Sequence, residues 1–287
     1  MKIVSLQSAV AYGHVGNSAA LLPLQRLGHE VWPVDTVQFS NHPGYGVFDG
    51  MRFPAAHLIA MVEGLAAVGA LDQCDGLLTG YLGEAATVEA AVLAAGLIRS
   101  RRPDALYLCD PVMGDAPRGL YVDPALPEAF RTRLLPLADI VTPNRFELEC
   151  LTGRAVGDLA DAAAAARSLL AGPDRRGPRL ALVTGLEDGR DGLIVLAVTA
   201  ERIWQVRTPR LPFSPEPSGT GDLLAALLLG RLLSGYAVPE ALDLAVSGLF
   251  AVLERTWVER RRELALVAAQ DAMIAPSRRF AADPVEP

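Results

Sequence analysis

In the stretch Pro217-Ser218-Gly219-Thr220-Gly221-Asp222-Leu223-Leu224-Ala225-Ala226-Leu227-Leu228-Leu229, a proline-rich loop leads into the longest apolar segment of the chain. Because Arg231 interrupts that segment, it is too short to span a membrane and is typical of a buried helix. The glycines permit positive φ angles and close approach of a phosphate, and a helix start directs free N–H groups to the same point. The stretch therefore predicts an anion site at the start of a buried helix.

Outward from this helix, short apolar runs alternate with helical patterns. The predicted strands are Ile3–Gln7, Val31–Val37, Gly76–Gly80, Ala105–Cys109, Ile140–Thr142, Leu180–Thr184, Leu193–Val198 and Ile203–Val206. The predicted helices are Asn17–Leu27, Ala55–Val68, Ala85–Ser100, Leu159–Leu170, Asp222–Leu233, Pro239–Leu253 and Glu259–Met273. This alternation predicts βαβ units and an α/β fold with a largely parallel sheet. Helices on both faces of the sheet would explain why several strands are apolar throughout.

The last two predicted strands form a different unit. Only the short connection Thr199–Arg202 joins them, so we expect an antiparallel hairpin at one edge of the sheet. The sequence shows no internal repeat and no long linker. Residues 1–287 are therefore expected to form a single domain.

Composition limits the classes of function. The chain has 287 residues, of which 51% are hydrophobic and 21% are charged, and its net charge of −7 argues against nucleic acid as a main partner. Its three cysteines form no C-x-x-C pair, which favours a reducing compartment. The residues after Met1 lack the pattern of a signal peptide. These observations predict a cytoplasmic protein that neither binds nucleic acid nor enters a membrane.

Asp222 is the first candidate for chemistry. Its carboxylate could accept a proton from an attacking hydroxyl, while Gly219, Thr220 and Gly221 form an anion hole for a transferring phosphoryl group. The structural alternative is that Asp222 caps a helix and the glycines only turn the chain.

Two further segments cross from a strand to a polar turn. They are Asp110-Pro111-Val112-Met113-Gly114 and Thr142-Pro143-Asn144-Arg145-Phe146-Glu147. Because ligands bind beyond the carboxyl ends of parallel strands, Asp110, Asn144 and Glu147 should converge on one rim, where their oxygens suit magnesium. Alternatively, Asp110 is a turn residue, Asn144 a helix cap and Glu147 an acid of the first helical turn. Their appearance together with the Gly219–Asp222 loop favours the functional interpretation.

These motifs occur in the order seen in one family. The chain also carries Ser8, Tyr12-Gly13-His14-Val15-Gly16-Asn17-Ser18-Ala19-Ala20, Thr36-Val37-Gln38-Phe39-Ser40-Asn41-His42 and Gly80-Tyr81-Leu82-Gly83. Over essentially its full length it resembles the pyridoxal kinases of the ribokinase-like superfamily. The resemblance implies a three-layer α/β/α sandwich with a mostly parallel central sheet and an antiparallel edge hairpin.

The same resemblance implies an activity. Pyridoxal kinases transfer the γ-phosphoryl group of ATP to the 5′-hydroxyl of pyridoxal, giving pyridoxal 5′-phosphate, and related vitamers are pyridoxine and pyridoxamine. ATP and Mg²⁺ are the implied cofactors, the need for a monovalent cation is left open, and a homodimer is the implied assembly.

Residue roles follow from matching positions. Asp222 is similar to the catalytic base, and Gly219–Gly221 to the anion hole. The positions matched to the pyridoxal pocket are Ser8, Thr36, Pro43, Gly44 and Tyr81. The positions matched to ATP are Asp110, Thr142, Asn144, Glu147, Thr184, Arg207, Thr208, Pro209, Arg210 and Tyr121. Of these, Asp110 and Glu147 resemble the acidic pair near the magnesium ion, and Thr184 stands where some bacterial members have lysine.

Two other functions remain to be weighed. A kinase of the same superfamily could act on hydroxymethylpyrimidine or a sugar, but the string Val37-Gln38-Phe39-Ser40-Asn41-His42 favours the pyridoxal branch. A non-catalytic vitamin-binding protein is disfavoured because Asp222 and its glycine pair are intact.

Overall fold

The computed structural model describes residues 1–116, 118–172 and 177–285. The strands are β1 (Lys2–Tyr12), β2 (Glu30–Asn41), β3 (Gly50–Arg52), β4 (Gly76–Thr79), β5 (Leu106–Cys109), β6 (Gly114–Asp115), β7 (Gly119–Leu120), β8 (Ile140–Val141), β9 (Leu180–Glu187), β10 (Gly192–Val198), β11 (Ile203–Pro209) and β12 (Asp283–Val285). The α-helices are α1 (Asn17–Arg26), α2 (Ala55–Ala67), α3 (Val88–Arg101), α4 (Leu126–Ala129), α5 (Arg145–Thr152), α6 (Leu159–Leu169), α7 (Thr220–Leu233), α8 (Val238–Val258) and α9 (Gln270–Ile274).

Ten strands form one sheet in the order β12-β11-β10-β9-β8-β5-β4-β1-β2-β3. The six strands from β9 to β2 in this order are parallel to their neighbours, as the alternation of strands and helices predicted. The carboxyl ends of these parallel strands therefore meet at one edge of the sheet, where ligands bind in open α/β folds.

Helices cover both faces of the sheet because neighbouring residues of each strand point to opposite sides. In β5, Tyr107 and Cys109 belong to the core cluster that includes α2, α3, α5 and α6, whereas Leu108 belongs to the cluster that includes α1, α7 and α8. All three side chains are buried. The predicted three-layer sandwich, with strands that are apolar on both faces, is confirmed.

The predicted antiparallel hairpin is also confirmed, as β10 and β11. It is not itself the edge of the sheet, because β12 pairs antiparallel with the outer side of β11. At the other edge, β3 pairs antiparallel with β2. A second, two-stranded sheet of β6 and β7 forms a small hairpin between β5 and α4.

The predicted helix Glu259–Met273 is wrong over most of its length. Helix α8 continues to Val258, Arg260 then adopts a φ of 52°, and regular helix resumes only at Gln270. The Thr256 side chain accepts a hydrogen bond from the N–H of Ala265, which fixes the non-helical segment against the end of α8. Consecutive residues in this segment are buried, a pattern that one helix face cannot satisfy.

Among the described residues, no helix is long and apolar enough to cross a membrane. Cys74, Cys109 and Cys150 are free thiols, the first two of them buried. Cys74 and Cys109 are therefore small core residues.

Candidate active site

The Gly219–Asp222 loop begins α7 and packs against the turn that follows β1. Gly219 is the N-cap of α7 with a φ of 88°, and a Cβ atom there would lie 1.8 Å from the carbonyl oxygen of His14. A side chain is excluded both by the left-handed backbone and by this contact. The loop therefore presents bare backbone N–H groups at the start of a buried helix, as an anion site requires.

Asp222 lies in the first turn of α7 and is half-buried. The cap position belongs to Gly219, so the structure does not support the alternative in which Asp222 caps the helix. The N–H of Gly16 donates to the Asp222 carboxylate. Burial raises the pKa of Asp222, and this hydrogen bond partly opposes the rise. A carboxylate with a raised pKa is the better proton acceptor near neutral pH.

Asp110 directly follows β5 and is buried. Thr142 donates its hydroxyl hydrogen to Oδ1 of Asp110 over 2.8 Å. Burial, followed by the negative charge of Asp222, raises the pKa of Asp110 to about 8, while the Thr142 hydrogen bond lowers it. The effect of Asp222 on Asp110 places the end of β5 beside the start of α7.

Asn144 and Glu147 form a capping box at the start of α5. The side chain of Asn144 accepts from the N–H of Glu147 over 2.9 Å, and Oε2 of Glu147 accepts from the N–H of Asn144 over 2.8 Å. The structural alternative for these two residues is therefore realised. They also hold the segment before the β6–β7 hairpin, because Glu147 Oε1 accepts from the N–H of Met113 and Asn144 donates to the carbonyl of Gly114.

The environment of Glu147 is nevertheless unusual for a capping residue. It is buried, and burial together with the charge of Asp110 raises its pKa well above the ordinary range. No cluster of three or more His, Cys, Asp or Glu side chains suited to a metal occurs among the described residues. Magnesium commonly uses one or two carboxylates and takes its other ligands from phosphates and water. The pair of Asp110 and Glu147 fits that mode, because a dication would relieve two buried, mutually repelling carboxylates.

Tyr121 follows the β6–β7 hairpin and faces the same acids. Burial raises its pKa, and the negative charges of Glu147 and Asp222 act in the same direction. The guanidinium of Arg118 lies 5.5 Å from the centre of the Tyr121 ring. The hairpin therefore brings one aromatic ring and one cation to the rim formed by the strand-end acids.

A bulge shapes the other side of the site, where the parallel strands β1 and β2 change register. One residue of β1, Ser8, faces two residues of β2, Thr36 and Val37. Bulges redirect side chains beside active sites. Ser8 and Thr36, predicted as pocket residues from separate strands, thus come together at this bulge.

Thr36 and Tyr81 are joined by a hydrogen bond from the threonine hydroxyl to the Tyr81 carbonyl, over 2.7 Å. The Tyr81 ring packs against a small apolar cluster of Val10, Val15, Val37 and Phe39. Hydroxyl groups beside an apolar wall suit a small hydroxylated aromatic ligand.

Pro43 and Gly44 lie in an exposed turn, Pro43–Tyr45. The N–H of Gly44 donates to Nδ1 of His42 over 3.1 Å. The same His42 nitrogen lies 3.3 Å from the hydroxyl of Ser218, the residue before Gly219. The turn is therefore tied to the Gly219–Asp222 loop through His42.

Thr184 lies where β9 bulges, and it adjoins the acid rim. Its N–H donates to the carbonyl of Pro143 over 3.1 Å, and it bridges to Asn144. Across the bulge, Thr184 and Gly185 together face one residue of β10.

The segment Arg207–Arg210, predicted to lie near the nucleotide, is at the end of β11. Arg207 lies 3.9 Å from Asp188, and Arg210 pairs with Glu187 and Glu216. Thr208 is half-buried and Pro209 is exposed. Both arginines therefore pair with acidic residues other than Asp110, Glu147 and Asp222.

Sequence reasoning missed the roles of three residues in this region, namely Gly16, Ser218 and Glu263. Gly16 lies inside the conspicuous glycine-rich string after β1, which offered a signal. Glu263 offered none, because it falls in the segment whose pattern predicted a helix.

Comparisons with known proteins show the family of the chain. Residues 59–260 match the family model described as phosphomethylpyrimidine kinase. The chain is 50% identical to pyridoxal kinase PdxY of Deinococcus radiodurans, over 99% of this chain and 96% of that protein. It is 48% identical to pyridoxal kinase PdxY of Rubrobacter xylanophilus, over 98% and 96%.

Solved structures show the same likeness. The pyridoxal kinase of Leishmania donovani, in complex with ADP and pyridoxamine, superposes with a TM-score of 0.91 and 31% identity, covering 99% of each chain. A putative phosphomethylpyrimidine kinase from Bacteroides thetaiotaomicron superposes with a TM-score of 0.87 and 25% identity, covering 99% of this chain and 97% of that chain.

Proposed function

This chain belongs to the pyridoxal kinase family, and from that membership we propose how its own residues carry out the reaction. Its activity is the ATP-dependent phosphorylation of vitamin B6. The observation that carries the residue assignment is that burial, followed by the negative charge of the nearby Asp222, raises the pKa of Asp110 to about 8. Asp110, which follows β5, and Asp222, in the first turn of α7, thus lie near each other at the glycine-rich start of α7.

Asp222 acts as the general base. It accepts the proton of the vitamin's 5′-hydroxyl as that oxygen attacks the γ-phosphorus of ATP, and the bond from the γ-phosphorus to the β-phosphate oxygen breaks. Burial keeps the pKa of Asp222 above its ordinary value, so the carboxylate is a stronger acceptor. The Gly16 N–H holds the carboxylate in place.

The backbone of Gly219–Gly221, with Thr220 at the first helical position, stabilises the charge on the transferring phosphoryl group. Asp110 and Glu147 would hold Mg²⁺ together with the ATP phosphates. When bound, this ion neutralises phosphate charge. Thr142 orients Asp110, and Asn144 fixes Glu147 through the capping box.

The vitamin ring lies between the hydroxyls of Ser8 and Thr36 and the apolar wall that includes Tyr81. The turn at Pro43 and Gly44 closes this pocket through backbone atoms and the proline ring.

On the nucleotide side we assign Tyr121 to the phosphates and Thr184 to the rim beside them. The segment Arg207-Thr208-Pro209-Arg210 lines the path toward the adenine. The requirement for a monovalent cation is a matter for assay.

Phosphorylation of hydroxymethylpyrimidine is a second candidate, because the matching family model is named for a pyrimidine kinase. That match begins at residue 59, however, and so omits Ser8 and Thr36. The relatives named pyridoxal kinase match over at least 98% of the chain and therefore include this pocket. The pocket residues thus favour pyridoxal.

Purified protein with ATP and Mg²⁺ should phosphorylate pyridoxal with a higher kcat/KM than hydroxymethylpyrimidine, measured in a coupled ADP-release assay. Pyridoxine and pyridoxamine are assayed in parallel. A higher kcat/KM for the pyrimidine would overturn the substrate assignment. Tight pyridoxal binding without turnover would instead support a vitamin-binding protein.

We also propose a cytoplasmic homodimer in which residues 1–287 act as one kinase domain. The exposed apolar side chains of Tyr12, Val47, Phe48 and Met51 offer an interface beside the ends of β1 and β2. Sedimentation at micromolar concentration should give twice the chain mass, and a monomer would contradict the proposal.

A further inference from the structure

Glu263 is a buried carboxylate in the non-helical segment between α8 and α9. Its Oε2 accepts a hydrogen bond of 3.0 Å from the N–H of His14. Its Oε1 accepts one of 2.6 Å from the hydroxyl of Tyr45. One side chain therefore joins two loops that are distant from it in sequence.

Both of these loops are in turn linked by contacts to the Gly219–Asp222 loop. On one branch, the carbonyl of His14 contacts Gly219, and the N–H of Gly16 donates to Asp222. On the other branch, the turn containing Tyr45 is tied to Ser218 through His42. Glu263 thus lies at the common anchor of the two branches, although it does not touch the reacting groups.

The space around Glu263 is fitted to its carboxylate. A Cβ atom at Gly13 would lie 2.3 Å from Oε2 of Glu263, so only glycine allows this close approach. The neighbouring Arg262 donates to the carbonyl of Gly44 over 2.9 Å, and its guanidinium lies 3.5 Å from the centre of the Tyr45 ring. The consecutive residues Arg262 and Glu263 therefore both bind the Pro43–Tyr45 turn.

We propose that Glu263 is a positioning residue for the phosphoryl transfer, which fixes the Gly13–Gly16 turn and the Pro43–Tyr45 turn against the Gly219–Asp222 loop. This inference rests on the proposed function. Fixing both turns sets the distance between the vitamin's hydroxyl and Asp222. A displacement of about 1 Å at a reacting centre can lower a rate by about 100-fold.

The test compares Glu263→Gln and Glu263→Ala with the matched control Glu259→Gln. Glu259 belongs to the same segment but is exposed and pairs with Arg255 and Arg261. A cavity of about 320 Å³ lies between Ala11–His14 and Arg261–Glu263. Water can therefore occupy the space left by Glu263→Ala, and we expect that variant to fold.

We expect kcat/KM for pyridoxal to fall about 100-fold in Glu263→Ala and about tenfold in Glu263→Gln, which retains an acceptor oxygen but loses the charge. Both kcat and the KM for pyridoxal should change, whereas the dissociation constant for ADP should not. Glu259→Gln should match the wild type. A change in thermal stability alone, with kcat/KM within twofold of wild type in folded Glu263→Gln, would overturn the proposal.

Hydrogen exchange read by mass spectrometry supplies a second readout. Peptides covering Gly13–Gly16 and Gly219–Asp222 should exchange faster in Glu263→Gln than in the wild type. Unchanged exchange in both peptides would also overturn the proposal. If wild-type protein phosphorylates no vitamer, the proposed function fails, but the exchange measurement still decides whether Glu263 anchors the two turns.

Discussion

The two sides of the site are built in different ways. On the phosphoryl side, Asp110, Glu147 and Asp222 each follow a strand or begin a helix, and Asp110 and Glu147 are held by neighbours that are close in sequence or on adjacent strands. On the alcohol side, comprising Ser8, Thr36 and Tyr81 with the turns fixed by Glu263, the joining hydrogen bonds span up to 249 residues.

The two sides also differ in charge. The phosphoryl side concentrates carboxyl groups whose pKa values are raised by burial and by neighbouring negative charge. The alcohol side uses neutral hydroxyls and a carboxylate that is satisfied by two donors. Substitutions on the phosphoryl side should therefore act chiefly through kcat and metal dependence, whereas substitutions of the hydroxyl residues Ser8 and Thr36 should act chiefly through substrate affinity.

The largest expected effect is on the phosphoryl side. Asp222→Asn should lower kcat by about 1,000-fold, because it removes the proton acceptor while keeping the side-chain volume. The KM for pyridoxal should change little. Steady-state kinetics of the folded variant measure both constants. Asp271→Asn, which alters an exposed carboxylate paired with Arg26, is the control. If the variant keeps more than a tenth of the wild-type kcat, Asp222 is not the general base.

The second effect separates metal binding from helix capping. Glu147→Gln should lower kcat/KM for ATP by about 100-fold at limiting Mg²⁺, with partial recovery as Mg²⁺ is raised, because one proposed ligand loses its charge. The measurement is a Mg²⁺ titration of the initial rate.

The matched control is Asp158→Ala, which removes the N-cap of α6. That loss should cost about 1 kcal/mol of stability without altering the Mg²⁺ titration. If the two variants show the same Mg²⁺ dependence, Glu147 is only a cap.

The third effect is on stability and concerns Asp110. The unfolded chain releases this proton near pH 3.8, whereas the folded protein keeps it to about pH 8. Within that window the folded state binds more protons, so the free energy of unfolding falls as pH rises, by at most about 1.4 kcal/mol per pH unit. Asp110→Asn should therefore be more stable than wild type at pH 8, with a smaller difference at pH 5.

Urea denaturation between pH 5 and pH 8, without nucleotide, measures this difference. Asp72→Asn, at an exposed surface ion pair with Arg101, should leave the slope unchanged. A pH dependence in Asp110→Asn equal to that of the wild type would show that Asp110 ionises normally in the folded protein.

The smallest expected effect tests the alcohol side. Ser8→Ala should raise the KM for pyridoxal by about fivefold with kcat nearly unchanged, since one hydrogen bond to substrate is worth about 1 kcal/mol. Kinetics at saturating ATP provide the measurement. Ser100→Ala, on an exposed hydroxyl at the end of α3, serves as control. A fall in kcat with KM unchanged would contradict the proposal that Ser8 acts through substrate affinity.

Much of the phosphoryl side could be predicted from sequence, because its signals are local. A run such as β5 ends at a polar residue, and the topology of parallel strands then brings such residues to one edge. The fold class was predicted from the alternation of apolar strands with helices along the chain. What the sequence did not indicate was that Asn144 and Glu147 would cap α5 and also face the site, since one pattern is compatible with both.

The alcohol side was less predictable. Ser8 and Thr36 were identified through family resemblance, but the bulge that brings them together depends on strand register, which no local pattern encodes. Glu263 was hidden because residues 259–273 have helical propensity, and tertiary contacts of Thr256 and Glu263 override it.

The anchoring by Glu263 has a consequence during synthesis. Chains are made from the N-terminus, and early segments can fold before later ones exist. The turn at His14 and the proposed base Asp222 are both translated before Glu263, so a nascent chain can assemble most of the sheet before the anchor of the two turns exists. Phosphoryl transfer at the full rate would then begin only after residue 263 has left the ribosome.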